Sequence, residues 1–133
     1  LILQAIYLMA MSKLKILIVD DIYSNRLLLG ELIRILGHES VEVENGQEAI
    51  QFLEQDNFNL VLMDIEMPVM NGIETTEYIR NKMPYPKNLV TIVALTAHNP
   101  ELFFKDFSSV GFDDLLTKPY SLSKITYLIN NLP

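Results

Sequence analysis

Residues 15–21 read KILIVDD, a short apolar run closed by two carboxylates, and three later runs end in the same manner. Asp64 closes LVLM, Thr96 closes TIVAL, and Lys118 follows LLT just before Pro119. Each run is rich in Val, Ile and Leu, and a helix-like stretch separates it from the next. That alternation predicts parallel strands covered on both faces. Open sheets of this kind bind ligands outside the carboxyl ends of their strands. Three carboxylates, a hydroxyl and an ammonium are therefore expected at one edge of one sheet. Such a site suits Mg²⁺ and a phosphoryl group.

The chain has 133 residues, the size of one ordinary domain, and half of them are apolar, enough for a single core. A net charge of −7 argues against a nucleic-acid surface, which needs clustered Lys and Arg to release counterions. The absence of cysteine excludes disulfides and thiolate metal sites and fits a reducing, cytoplasmic setting. The opening LILQAIYLMAM is shorter than the ~20 residues of a spanning helix, so no membrane role is expected. It also lacks a basic leader. Met11-Ser12-Lys13 reads as a natural start, which makes residues 1–13 an extension and residues 14–133 the domain. The competing reading is an added N-terminal helix that packs on a neighbour.

The first strand is expected over 15–19 and the first helix over 24–36, with apolar residues at Leu28, Leu32, Ile35 and Leu36 and a left-handed cap at Gly37. A strand over 40–44 leads to Asn45, a cap for a helix over 46–55. The third strand, 59–63, precedes a loop marked by Pro68 and Gly72, and a third helix runs to about 81. The fourth strand spans 91–95. Asn99-Pro100-Glu101 starts the fourth helix, on which Phe103, Phe107 and Val110 share a core face and Leu102 and Phe104 flank it. Gly111 ends that helix, the last strand spans 114–117, and Ser121 caps the last helix. His38 follows a helix-ending glycine and is expected in solvent. Right-handed crossovers and strand order 2-1-3-4-5 then place Asp64 at the centre of the polar cluster.

Two like charges about 4 Å apart cost roughly 4 kcal/mol at an effective dielectric near 20. Gathering Asp20, Asp21 and Asp64 is therefore unfavourable unless a hard cation or the Lys118 ammonium offsets the repulsion. Mg²⁺ favours one or two carboxylates with waters and phosphate oxygens, which fits this acid count better than the larger Ca²⁺ shell does. An ionised carboxylate can itself attack phosphorus, so no general base is needed. Taken singly, Asp20 reads as a helix cap, Lys118 as a surface charge and Thr96 as a structural hydroxyl. Their joint placement at successive strand ends favours the functional reading.

KILIVDD, LVLMDIEMPVMNGIE, IVALTA and DDLLTKPY, in this order, resemble the receiver domains of two-component response regulators, the CheY-like family. The resemblance covers about residues 14–132 and implies a doubly wound (βα)5 fold with a five-stranded parallel sheet. It implies that Asp64 is the phosphoacceptor, charged by a phosphohistidine on a sensor histidine kinase or a histidine phosphotransfer protein. By the same resemblance Asp21 is a direct ligand of Mg²⁺ (or Mn²⁺), Asp20 its more distant acidic partner, and the backbone carbonyl of Glu66 a third ligand. Thr96 and Lys118 hold the phosphoryl oxygens, and the Lys118–Pro119 bond is cis. The output surface of the family is usually the face of the fourth helix, fifth strand and fifth helix, where an exposed Phe104 is a candidate effector contact. One departure stands out: Leu115 occupies the position of the usual switch aromatic, and Tyr120 does not replace it. Glu66 and His98 flank the site at positions that tune phosphoryl lifetime.

Three rivals remain at this point. A haloacid-dehalogenase-like phosphatase also uses Asp, Thr or Ser, Lys and Mg²⁺, but its acid pair comes late in the chain. A flavodoxin-like FMN carrier needs a phosphate loop after the first strand, where Asp20-Asp21-Ile22-Tyr23 would repel phosphate. A scaffold that is never phosphorylated would not require the intact acids, Thr96 and Lys118.

Overall fold

The computed structural model describes residues 1–4, 13–97 and 99–133. The proposed start at Met11, most of the N-terminal extension and His98 lie outside these residues. Five parallel strands, β1 (Lys15–Val19), β2 (Glu39–Val43), β3 (Leu60–Asp64), β4 (Thr91–Thr96) and β5 (Asp114–Thr117), form one sheet of order β2-β1-β3-β4-β5. They alternate with α1 (Tyr23–Ile35), α2 (Gly46–Gln55), α3 (Gly72–Lys82), α4 (Pro100–Phe107) and α5 (Leu122–Asn130). This is the expected doubly wound topology.

The central strands are apolar over their middle positions, yet their side chains still divide by the period of two. Ile16, Ile18, Leu60, Leu62, Val93 and Leu95 pack with Leu29 and Ile33 of α1 and Ile125 and Leu128 of α5. Leu17, Val19, Val61, Met63 and Ile92 pack on the other face with Ala49 and Leu53 of α2 and Ile79 of α3. A third cluster of Ile65, Ala94 and Phe103, joined by half-buried Phe107, Phe112 and Leu115, seats α4. Leu115 and Tyr120 therefore face opposite sides of the sheet, since Tyr120 belongs to the α1/α5 cluster.

Helix starts follow the sequence signals. Asn45, Asn99 and Ser121 each accept a backbone N–H from the first turn of their helices, and Asn71 and Glu74 complete a reciprocal capping box on α3. Gly37 closes α1 at φ +86°.

Several details differ from expectation. α4 is shorter than the apolar pattern implied and ends at Phe107, so Val110 lies beyond it in a turn whose N–H reaches the Phe107 carbonyl. Phe103 alone is fully buried there, whereas Phe107 and Val110 are half-buried. Leu102 and Phe104 are both exposed, at 56% and 42%. On α1 the buried stripe is Arg26, Leu29 and Ile33, while Leu28 and Ile35 face solvent. That helix is apolar almost all round, so its pattern alone does not select a face. His38 is half-buried rather than solvated. Its Nδ1 accepts the Leu14 N–H at 2.9 Å, and burial lowers its pKa below the ordinary value. The Lys118–Pro119 bond is cis, as expected, and so is Tyr85–Pro86.

Gly72 brings α3 against the end of β3. Its N–H donates to the Ile65 carbonyl at 2.8 Å, and a Cβ built there would stand 2.1 Å from the Asp64 carbonyl oxygen. Backbone cannot yield as a flexible side chain can. Gly72→Ala is therefore expected to lower stability by about 2 kcal/mol, in the range of overpacking substitutions, as read by chemical denaturation.

Candidate functional site

The parallel register delivers the polar residues to one edge. Met63 pairs with Ala94, Asp64 with Leu95, and Thr96 with Thr117 immediately before Lys118. Asp64 and Thr96 are thus the last residues of β3 and β4, one position further into the strands than their runs suggested. The Lys118 N–H donates to the Thr96 carbonyl at 2.9 Å, which ties the two strand ends together.

Among the described residues, Asp20, Asp21 and Asp64 each place one carboxylate oxygen within 4.8 Å of the others. The Lys118 ammonium stands 3.7 Å from Asp64 Oδ1, an ion pair at longer than hydrogen-bond distance. A cavity of about 190 Å³ opens here, lined by Asp21, Asp64, Glu66, Thr96 and Lys118 with Ile22, Ile65, Leu95 and Ala97. All six residues singled out in the sequence therefore meet, five on the cavity wall and Asp20 buried behind them.

The three acids differ in their settings. Asp20 is fully buried, but its charge is answered: Oδ1 accepts the Ile22 N–H at 2.9 Å and Oδ2 accepts the Asn25 amide at 3.2 Å. Asp21 is exposed and free to turn toward an ion. Asp64 is buried with little compensation. Burial first, then the Asp20 carboxylate, push its pKa up to about 6 against the pull of Lys118, and Asp21 adds to the rise. Three clustered carboxylates, one destabilised as an anion, form a donor set that fits a hard divalent cation. Thr96 is buried on the cavity wall.

One residue here escaped the sequence reading, and a second was read without its buried hydroxyl. Arg26 is buried on α1 and donates through Nη1 to the Asp20 carbonyl at 2.7 Å. Its place three and seven residues before Leu29 and Ile33 on one helical stripe was the available signal. Tyr120 is buried with its hydroxyl lacking a hydrogen-bond partner among the described residues, and burial and the Asp20 and Asp64 charges raise its pKa. No sequence signal distinguished that hydroxyl from a purely apolar ring.

Comparison with known proteins agrees with this geometry. A family model for the response regulator receiver domain matches residues 16–130. The chain is 39% identical over 116 residues to the sensor protein GacS of Pseudomonas syringae pv. syringae, a match covering 86% of this chain and 13% of that protein. It is similar to the response regulator TrrA of Thermotoga maritima, solved in complex with Mg²⁺-BeF, at TM-score 0.77 and 34% identity, covering 90% of this chain and 98% of that one. It is also similar to the receiver domain of Ssk1 of Saccharomyces cerevisiae, solved with the histidine phosphotransfer protein Ypd1, at TM-score 0.79 and 32% identity, covering 89% and 87%.

The pKa of Asp64 carries a pH signature. Because the folded chain holds this proton more tightly than an ordinary aspartate near 3.8, proton uptake favours the fold. Without divalent cation, stability relative to Asp64→Asn should rise as pH falls from 7 through about 6 toward 4. The variant should be more stable at pH 7 by on the order of 2 kcal/mol. Paired thermal melts across that range measure the difference, and saturating Mg²⁺ should shrink it.

Proposed function

The chain belongs to the response regulator receiver domains of two-component signalling, and we propose that Asp64 is its phosphoacceptor, charged from a phosphohistidine on a sensor histidine kinase or phosphotransfer protein. The observation that carries this reading is the Lys118 ammonium 3.7 Å from a buried Asp64 carboxylate that two further acids crowd. Asp21, Asp64 and the Glu66 carbonyl would hold Mg²⁺ or Mn²⁺ directly, with Asp20 behind them. The bound ion would neutralise charge on the transferring phosphoryl oxygens.

In the transfer, an Asp64 carboxylate oxygen attacks phosphorus, the O–P bond forms, and the P–N bond to imidazole breaks. Lys118 pairs with one phosphoryl oxygen and the Thr96 hydroxyl donates to another. Asp64 has no proton to lose once ionised, so none of these residues need act as a base. Hydrolysis of the acyl phosphate returns Asp64, which makes the domain a signalling acceptor with autocatalytic transfer and dephosphorylation rather than a turnover enzyme. The Mg²⁺-BeF complex of TrrA and the Ypd1 complex of Ssk1 support the metal and the partner by similarity. The phosphatase alternative has no such support: the family model that matches residues 16–130 is that of the receiver domain.

The effector would read the α4–β5–α5 face. Leu102 and Phe104 are exposed there, Tyr127 is 72% exposed, and a groove lined by Pro100, Leu115, Thr117, Lys124 and Tyr127 lies between the helices. No helix among the described residues is long and apolar enough to cross a membrane; we place the domain, residues 14–133, in the cytoplasm beside its kinase.

Incubation with acetyl phosphate and Mg²⁺ should add one phosphoryl group per chain by intact mass. Asp64→Asn or chelation of the metal should abolish the adduct, and Lys118→Ala should slow its formation about tenfold or more. Phosphorylation of Asp64→Asn at the wild-type rate would overturn the assignment.

A further inference from the structure

Arg26 is a charged side chain buried where a helix facing the sheet should be apolar, and the proposed phosphotransfer steps do not use it. Its guanidinium spans three segments. Nη1 donates to the Asp20 carbonyl at 2.7 Å, Nε lies 3.6 Å from Glu42 of β2, and Nη2 lies 3.5 Å from Glu44 in the following turn. The Tyr23 ring lies beneath it, 5.7 Å from the guanidinium carbon.

The carbonyl it grips belongs to the peptide that joins Asp20 to Asp21. The Asp20 N–H is tied in turn to the Val43 carbonyl at 3.2 Å, and the Asp20 carboxylate to Ile22 and Asn25. Every polar group of Asp20 is thus fixed, which sets the direction in which the exposed Asp21 carboxylate leaves the sheet. A burial this costly needs its charge answered. Glu42 and Glu44 do so, and they also keep the guanidinium from acting as an unbalanced positive charge behind a cation site.

We propose that Arg26 is a positioning residue for the divalent cation. With Glu42 and Glu44 it orients the Asp20–Asp21 peptide, so that Asp21 meets the ion without reorganisation. This inference rests on the metal-dependent reading given above. It concerns a residue that touches neither the ion nor the phosphoryl group. Outer partners that orient metal ligands commonly change affinity 10- to 100-fold when removed.

The test compares Arg26→Met and Arg26→Lys with Arg80→Met. Arg80 is a control far from the acids that also bridges segments, binding the carbonyls of Asn88, Val90 and Gly111 and the Asp113 carboxylate. Mg²⁺ affinity is read by calorimetry, the Asp21 amide by hydrogen exchange in metal-free protein, and folding by thermal melts. Arg26→Met should weaken Mg²⁺ about tenfold or more and speed exchange at Asp21. Arg26→Lys should fall between it and wild type, because one ammonium cannot serve the carbonyl and both glutamates together. Arg80→Met should melt lower yet keep its Mg²⁺ affinity. If Arg26→Met and Arg26→Lys bind Mg²⁺ as wild type does, whatever their melting temperatures, the inference is overturned and the functional reading stands. If wild type itself binds no Mg²⁺, both fall.

Discussion

The structure turns on the mutual repulsion of Asp20, Asp21 and Asp64, gathered within 4.8 Å at the carboxyl edge of a parallel sheet. The fold gathers them because the β1–β3 register leaves no choice: both strands are locked by side chains buried on both faces, and their ends arrive together. Hydrophobic packing therefore forces an electrostatic conflict that protein groups answer unevenly. Asp20 receives two donors and a clamped backbone, whereas Asp64 receives the Ile65 N–H and one distant ammonium and remains hard to ionise. A cation that relieves this conflict, and a phosphoryl group that binds to it, act on stress already built into the fold.

What surrounds the acids serves to hold them in place. The Asn71–Glu74 capping box and Gly72 fix the start of α3 against Asp64, and the Lys118 N–H laces β5 to β4. Below Thr96, Ala94 pairs with Leu115 across the strands, and both pack against Phe103 of α4. Phe103 also stands 5.3 to 5.6 Å from the rings of Phe104, Phe107 and Phe112. The site and the exposed face of α4 thus share one small core.

The sheet edge was legible because its signal is local: four apolar runs each ended in a residue that could not continue the core. Asn45, Asn99 and Ser121 were legible as caps for the same reason, each a short polar side chain placed where a helix must begin. Asp64 and Thr96 proved to close their strands rather than follow them, since ladder hydrogen bonds and not polarity set strand ends. The length of α4 was misread because Val110 continues the apolar spacing past the point where the backbone turns. Arg26 and His38 were hidden by their chemistry. Arg26 drew no reading and His38 was expected in solvent after a helix-ending glycine; only tertiary contact reveals a carbonyl waiting for one and a backbone N–H for the other.

Locating the cation gives the most direct test. Mn²⁺ titrated at substoichiometric levels into ¹⁵N-labelled protein should first broaden the amide resonances of residues around Asp21, Asp64 and Glu66, leaving those near the exposed Glu31 and Glu39 sharp. Broadening spread evenly over the acidic surface, or centred away from the end of β3, would contradict the claim that this carboxylate cluster is a built metal site.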